Sequence, residues 1–465
     1  MKTIKINFVL ILLVLLSFST KSQQLRVLTP IQMTNDVDTL VRFLEETHLN
    51  PYYKYSKENF VKDVALIKKG LTKHLTVIDF YLKIEPLLAK LQDGHTDLPV
   101  PKELYNLQDP YELPYVFILS TKAPYIICKM SKANLPSLIP INSEIISINN
   151  MPAKRIVEDI VNLNTGETPD FRAEFGARNL SFYLENLYKT NGNYKVKYKF
   201  GSQIKLIEIE GIKQKKLSEI VNKIDLKTSK GNNEKSNFDF EVVNNVAIIN
   251  FRKFDWNGFR KFADSAFSVI KNNKINNLII NLIDNGGGES EVGDEFLQYL
   301  LSKPFKQYNK VVIKNSQLYK ARLKKNIGTK KPDKEELEFL NQKNGTVDTF
   351  YVDSNKIKEN SFRYNGNVYL LVNSQTYSSA ADFAQCFKYY KRGLIIGEET
   401  GGLIKSFGDI VTTHLPNSNL RFTISSTLYY NVGVDEEDFC GVIPDFYSTS
   451  DKALKKAFEI IENQK

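Results

Sequence analysis

The chain has 465 residues, about three times the common domain size, with 42% apolar residues, 25% charged residues and a formal net charge of +10. Two or three domains with real cores follow, and disordered, collagenous and multi-spanning membrane classes are excluded. Cys128, Cys386 and Cys440 are scattered without a Cys-x-x-Cys pair, which argues against a disulfide framework and thiolate metal chemistry.

At the N-terminus Lys2 and Lys5 precede nine consecutive apolar residues, Phe8–Leu16, and the small and polar stretch Ser19-Thr20-Lys21-Ser22-Gln23 follows. This pattern predicts a secretory signal peptide over residues 1–22, because the apolar run is too short to anchor in a bilayer. The mature chain is expected outside the cytoplasm, periplasmic or extracellular, without stable membrane insertion. Between Thr34 and Leu91 apolar residues recur at helical spacing, as in Val37, Leu40, Val41 and Leu44, then Phe60, Val64 and Ile67, then Ile78, Tyr81, Leu82, Ile84 and Leu88. They predict a helical domain, bounded at residues 23–105.

Residues 106–232 read differently, with β-rich pieces at Tyr115–Leu119, Tyr125–Lys129, Ser143–Ile148, Tyr194–Tyr198 and Lys205–Glu210. Helices are expected near Ala153–Leu163 and Phe171–Lys189, and Gly231–Asn237 reads as a linker. Over residues 233–465 continuous apolar strands at Val246–Phe251, Asn277–Leu282, Val368–Val372 and Leu394–Ile396 alternate with helices near Trp256–Lys271, Gly293–Leu301 and Ser379–Tyr390. That alternation predicts an α/β layer architecture with a buried sheet. Lys303–Lys343 carries twelve Lys/Arg against four Asp/Glu, yet it has neither an aromatic ladder nor a nucleic-acid motif. A solvated connector is expected there, and no nucleic-acid partner.

Three short motifs carry chemistry. The strand Leu278–Leu282 empties into Asp284-Asn285-Gly286-Gly287-Gly288, where glycine allows several N–H groups to face one anion. The run lacks the endings of the phosphate and dinucleotide loops. The strand Val368–Val372 leads into Thr376-Tyr377-Ser378-Ser379-Ala380-Ala381-Asp382-Phe383, so a serine stands at a helix start, either as a cap or as a nucleophile. Asp93-Gly94-His95-Thr96 offers a histidine that is either structural or a base. Of the others, His48 ends a helix, His74 reads as exposed and His414 lies in a strand.

In this order, and with Gly397-Glu398-Glu399-Thr400-Gly401-Gly402 and Gly441-Val442-Ile443-Pro444-Asp445 behind them, the motifs resemble the C-terminal processing peptidases (tail-specific proteases). That family shares its fold with the tricorn core and the retinoid-binding modules. The resemblance implies a crotonase-like ββα catalytic core preceded by the helical domain and by a PDZ-like β-rich domain, the latter matched by Ile139–Ala153. It implies Ser378 as nucleophile, with Ser379 and Gly287 or Gly288 as oxyanion donors. Lys405 is out of register for the family's Ser–Lys branch, which leaves the tricorn-like branch. There His95 is the base, oriented by Glu437 or its neighbour Glu436, with Glu437 preferred. The chemistry implied is serine endopeptidase action on unfolded or flexible polypeptides, with no cofactor and no metal. A non-catalytic ligand-binding protein on the same fold is the rival reading.

Overall fold

The computed structural model describes residues 26–132, 135–228 and 236–464. The predicted signal peptide and most of the predicted linker lie outside the described residues.

The helical segment begins with Pro30–Thr47, started by a reciprocal capping box between Thr29 and Gln32. Its buried residues Met33, Val37, Leu40 and Leu44 fall three or four apart, forming one stripe. Helices Lys57–Gly70 and Val77–Ala89 complete the unit, and the second of these is buried along most of its length. Next comes an antiparallel sheet in the order Tyr115–Leu119, Ile126–Ser131, Glu144–Ile148, Asn193–Phe200, Gln203–Glu210. Along Asn193–Phe200 the residues Tyr194, Val196 and Tyr198 point inward and their neighbours outward, the period of a sheet with one wet face. The helical stretch expected near Phe171–Lys189 consists of two helices, Pro169–Ala177 and Leu180–Leu187. The break falls at Arg178-Asn179, where Asn179 leaves helical geometry (φ −118°, ψ 18°).

The C-terminal half is built on a six-stranded sheet in the order Phe238–Val243, Val246–Phe251, Asn277–Asn281, Asn367–Val372, Leu394–Gly397, Phe446–Tyr447. All its pairings are parallel except that of the first strand. Ala247, Ile249, Phe251, Leu278, Ile280, Leu370 and Val372 face one core with the helices Phe259–Asn272, Ser290–Leu297 and Ser379–Tyr389. Val246, Ile248, Ile279, Tyr369 and Leu371 face a second core under the C-terminal helix Ala453–Asn463. Burial on both faces explains why these strands are unbroken apolar runs.

Lys303–Lys343 is not a bare connector. It holds the strand Tyr308–Lys314 and the helices Gln317–Ile327 and Lys334–Asn341. Several of its cations are engaged within the molecule. Lys314 Nζ donates to the carbonyls of Glu45 (2.6 Å) and His48 (3.0 Å) at the end of the first helix, and Arg322 forks onto both oxygens of Asp409 at 2.6 Å. The strand Tyr308–Lys314 belongs to a four-stranded antiparallel sheet ordered Val347–Tyr351, Tyr308–Lys314, Arg421–Asn431, Lys405–His414, which the apolar pattern did not predict. Its long hairpin reaches back to the N-terminal half, where Leu415, Leu420, Phe422 and Ile424 join the core formed by the first helices and the middle sheet.

Candidate active site

The neighbouring parallel strands Asn277–Asn281 and Asn367–Val372 both end in irregular turns, and those turns are stitched together. Tyr377 N–H donates to Asn285 O (2.9 Å), the Thr376 hydroxyl to Leu282 O (2.9 Å) and Asp284 N–H to Asn373 Oδ1 (3.0 Å). The carboxyl ends of parallel strands are where open α/β sheets present their ligand sites.

Ser378 stands where the second turn meets the helix Ser379–Tyr389. Its backbone is left-handed, φ 53° and ψ −133°, a strained region for a side-chain-bearing residue that is found mainly at functional sites. Although it occupies the N-cap position, its hydroxyl caps nothing and makes no hydrogen bond among the described residues. Ser379 differs. It is buried, and its hydroxyl donates to Gly288 O at 2.8 Å and meets the Ser290 hydroxyl at 3.1 Å.

Glycines from two motifs close on Ser378. A Cβ on Gly287 (φ +93°) would lie 2.8 Å from Ser378 Cβ and 2.7 Å from Tyr377 O, and one on Gly402 would lie 2.8 Å from Ser378 N. Both positions therefore require glycine. The two expected oxyanion donors of the glycine turn are not equivalent. Gly287 N–H already donates to Asn285 Oδ1 at 2.9 Å, whereas Gly288 N–H has no acceptor among the described residues. Ser379 N–H, the first of its helix, also has no intrahelical partner. The pair Gly288 and Ser379 can thus meet an oxyanion.

His95 packs on the turn that carries Ser378, its ring centroid 5.0 Å from that of Tyr377. Its Nδ1 is buried without a hydrogen-bond partner among the described residues. Burial holds the imidazole below its ordinary range, opposed by the Asp93 charge, the Phe407 carbonyl and Asp409. The ring is therefore neutral, as a general base must be. Asp93 is buried and fully engaged. Its Oδ2 accepts from His48 Nε2 (3.0 Å), the Thr96 hydroxyl (2.6 Å) and the Ser425 hydroxyl (2.7 Å), while Oδ1 accepts His95 N–H at 3.0 Å. Burial alone would raise this carboxyl, but the His48 and Thr96 hydrogen bonds and the nearby imidazoles hold it well below the usual range. Asn50 N–H donates to His48 Nδ1 at 3.0 Å, which assigns the His48 proton to Nε2, facing Asp93.

Glu167 completes the cluster. Its Oε1 accepts from the Tyr377 hydroxyl (2.6 Å) and from Gly94 N–H (3.3 Å), while its Oε2 is buried and unpartnered. Burial and the Asp93 charge push this carboxyl up to about 8. Asp93, His95 and Glu167 bring donor atoms within 4.8 Å of one another, as a metal site would. Asp93 Oδ1 and His95 Nδ1 are 4.0 Å apart, however, wider than the roughly 3.4 Å between neighbouring ligands of a tetrahedral zinc, and the Asp93 oxygens already hold four donors.

Gly287, Ser378 and Ser379 thus lie against one another, and His95 packs on Tyr377 of the same turn. Glu437 is exposed and makes no side-chain hydrogen bond or ion pair among the described residues. Glu436 is held elsewhere, by Lys310 (2.7 Å), the Tyr430 hydroxyl (2.7 Å) and Lys405 (3.0 Å). The same contacts tie the Lys405 ammonium to Glu436. Sequence reasoning missed three participants. Asp93 lay inside a motif already noticed, His48 was placed on its helix end without a role, and Glu167 had no local signal.

No curated protein sequence matches the chain. Among solved structures, mature CPAF superposes with a TM-score of 0.61 at 12% identity, over 93% of this chain and 96% of that one. A mutant of CPAF gives 0.63 at 13% identity over the same shares, and mature CPAF complexed with lactacystin gives 0.61 at 12% over 93% and 98%. At such identities these likenesses establish a shared fold. The family model for peptidase family S41 matches residues 245–448, the segment that contains the glycine turn, Ser378 and both later glycine motifs. That segment is similar to peptidase family S41, and the match supports a serine peptidase.

Proposed function

We propose that the protein is an exported endopeptidase that cuts unfolded or flexible polypeptides, with Ser378 as nucleophile and His95 as general base. The observation that carries this reading is the left-handed backbone of Ser378 at a helix start, with a hydroxyl that neither caps nor bonds. In the reaction neutral His95 takes the Ser378 proton as the oxygen attacks a peptide carbonyl. The N–H groups of Ser379 and Gly288 receive the oxyanion, and the imidazolium then protonates the leaving amine. Asp93, 4.0 Å from Nδ1, lends the imidazolium a fixed negative charge.

The parallel sheet with helices on both faces supports a crotonase-like core over residues 233–465. The antiparallel sheet of the middle segment supports a PDZ-like unit within 106–232, behind a helical domain over 23–105. No helix among the described residues is long and apolar enough to cross a membrane, and export rests on the N-terminal sequence pattern.

The test is digestion of an unfolded protein, with the fragments read by mass spectrometry. Ser378→Ala is expected to lower cleavage at least 10³-fold. Ser379→Ala, which loses only its bonds to Gly288 O and Ser290, is expected to retain much of it. The reverse result moves the nucleophile by one residue, and cleavage that survives both substitutions rejects the site.

A further inference from the structure

Two buried polar atoms at the site lack partners among the described residues, and they belong to adjacent side chains: Nδ1 of His95 and Oε2 of Glu167. Leaving such atoms unmade costs free energy that a bond between them would recover. We infer that Glu167 is the positioning residue of the base, its Oε2 accepting the Nδ1 proton of His95 when the site is catalytically engaged. The inference rests on the serine peptidase reading above and replaces the role that the family pattern gives to a late glutamate.

Three features of the geometry support it. The other oxygen of Glu167 is anchored by Gly94 N–H and by the Tyr377 hydroxyl. These belong to the residues immediately before His95 and Ser378, so one carboxylate is indexed to both reacting groups. Second, the loop that carries Glu167 is locked, because Gly166 (φ +143°) lies where a Cβ would be 2.4 Å from the Phe171 ring, and that ring stacks on Tyr377 at 4.5 Å. Third, Asp93 is a poor alternative, since its oxygens already hold four donors and it cannot swing toward Nδ1 without abandoning them.

An Nδ1–H bonded to Glu167 leaves Nε2 as the lone pair that accepts the Ser378 proton, the tautomer general-base catalysis requires. Glu167 faces Asp93 and the hydroxyls of Tyr377 and Tyr53, with Arg172 the nearby cation. With burial and Asp93 pushing its carboxyl up to about 8, the accepting carboxylate forms above neutral pH. Turnover is then expected to rise on the alkaline side.

Glu167→Gln and Glu167→Asp test this in the full chain, with labelled casein and a fluorophosphonate as probes. Glutamine keeps the acceptor for Tyr377 and Gly94 but turns an N–H toward Nδ1, fixing the wrong tautomer. It is expected to lower kcat roughly 10²-fold or more with KM within about twofold, to slow Ser378 labelling equally, and to erase the alkaline rise. Aspartate should restore part of kcat. A far-downfield imidazole N–H proton resonance, present at pH 8.5 and lost in Glu167→Gln, reports the bond without reference to turnover. Unchanged kcat, labelling and pH profile in Glu167→Gln overturn the inference, as does absence of the resonance in the unsubstituted protein. If the resonance behaves as expected but no form cuts casein or labels at Ser378, the bond stands and the peptidase reading of the site fails.

Discussion

At the scale of single residues, what separates Ser378 from Ser379 is what each hydroxyl touches. Both sit in one small-residue turn, and side-chain chemistry does not distinguish them. The fold gives Ser379 two partners and Ser378 none. A similar contrast sorts the histidines. His48 has both ring nitrogens engaged, which makes it a support for Asp93, whereas the Nδ1 of His95 is open. Because burial lowers the His95 pKa, the imidazole stays neutral to a pH below its ordinary 6.5. In Glu167→Gln, which lacks the alkaline rise, the residual activity is therefore expected to persist through pH 6.5 and to fall only on further acidification, when the imidazole gains its proton. A pH–rate profile of kcat/KM checks this, and an acid limb centred at or above 6.5 rejects it.

At the scale of elements, the site is held by pieces far apart in sequence. The helix Pro169–Ala177 supports the turn that carries Ser378, with Ser374 donating to Glu174 (2.8 Å) and Gln375 Nε2 to Phe171 O (3.2 Å). The helix Val77–Ala89, which precedes the His95 turn, carries an anomaly. Glu85 is wholly buried beside the Asp97 carboxyl, and no donor reaches either of its oxygens among the described residues. Burial, followed by the neighbouring Asp97 carboxyl, raises its pKa well above the usual value. Native Glu85 thus keeps a proton that the unfolded chain releases above about pH 4.3, so its contribution to stability declines as pH rises from there. Glu85→Gln removes that dependence. Its melting temperature is expected to exceed that of the unsubstituted protein by a margin that grows between pH 5 and pH 8, and an equal margin at both values contradicts the assignment.

At the scale of the whole molecule, the N-terminal helices, the middle sheet and the long hairpin of the C-terminal half share one core. A buried carboxylate fastens them. Asp36, on the first helix, accepts from Asn417 N–H (2.8 Å), Asn417 Nδ2 (2.8 Å) and Ser418 N–H (2.7 Å). Asp36→Ala leaves those donors unmet and is expected to cost about 3 kcal/mol of stability, read by chemical denaturation. Because the hairpin also brings Ser425 to Asp93 and the Phe407 carbonyl to His95, activity should be lost at lower denaturant in this variant. A midpoint unchanged by the substitution argues against the fastening.

The sequence by itself determined the elements whose cause is local. Periodic apolar residues specified the first helices, and unbroken apolar runs specified the parallel strands. The glycine turn and the serine turn were legible because glycine and small residues are demanded wherever backbones approach closely. The polar antiparallel sheet was not legible, since Ser406, Thr412, Thr423, Ser425, Ser426 and Thr427 give its hairpin no clean apolar alternation. Nor was the environment of the base. The chain segments around 48, 93, 167, 377 and 407 meet only after the cores have formed, and hydrogen-bond partners and burial are properties of that meeting. Only the tertiary structure could decide which carboxylates face His95, which glycine N–H is free, and which of two adjacent serines has an uncommitted hydroxyl.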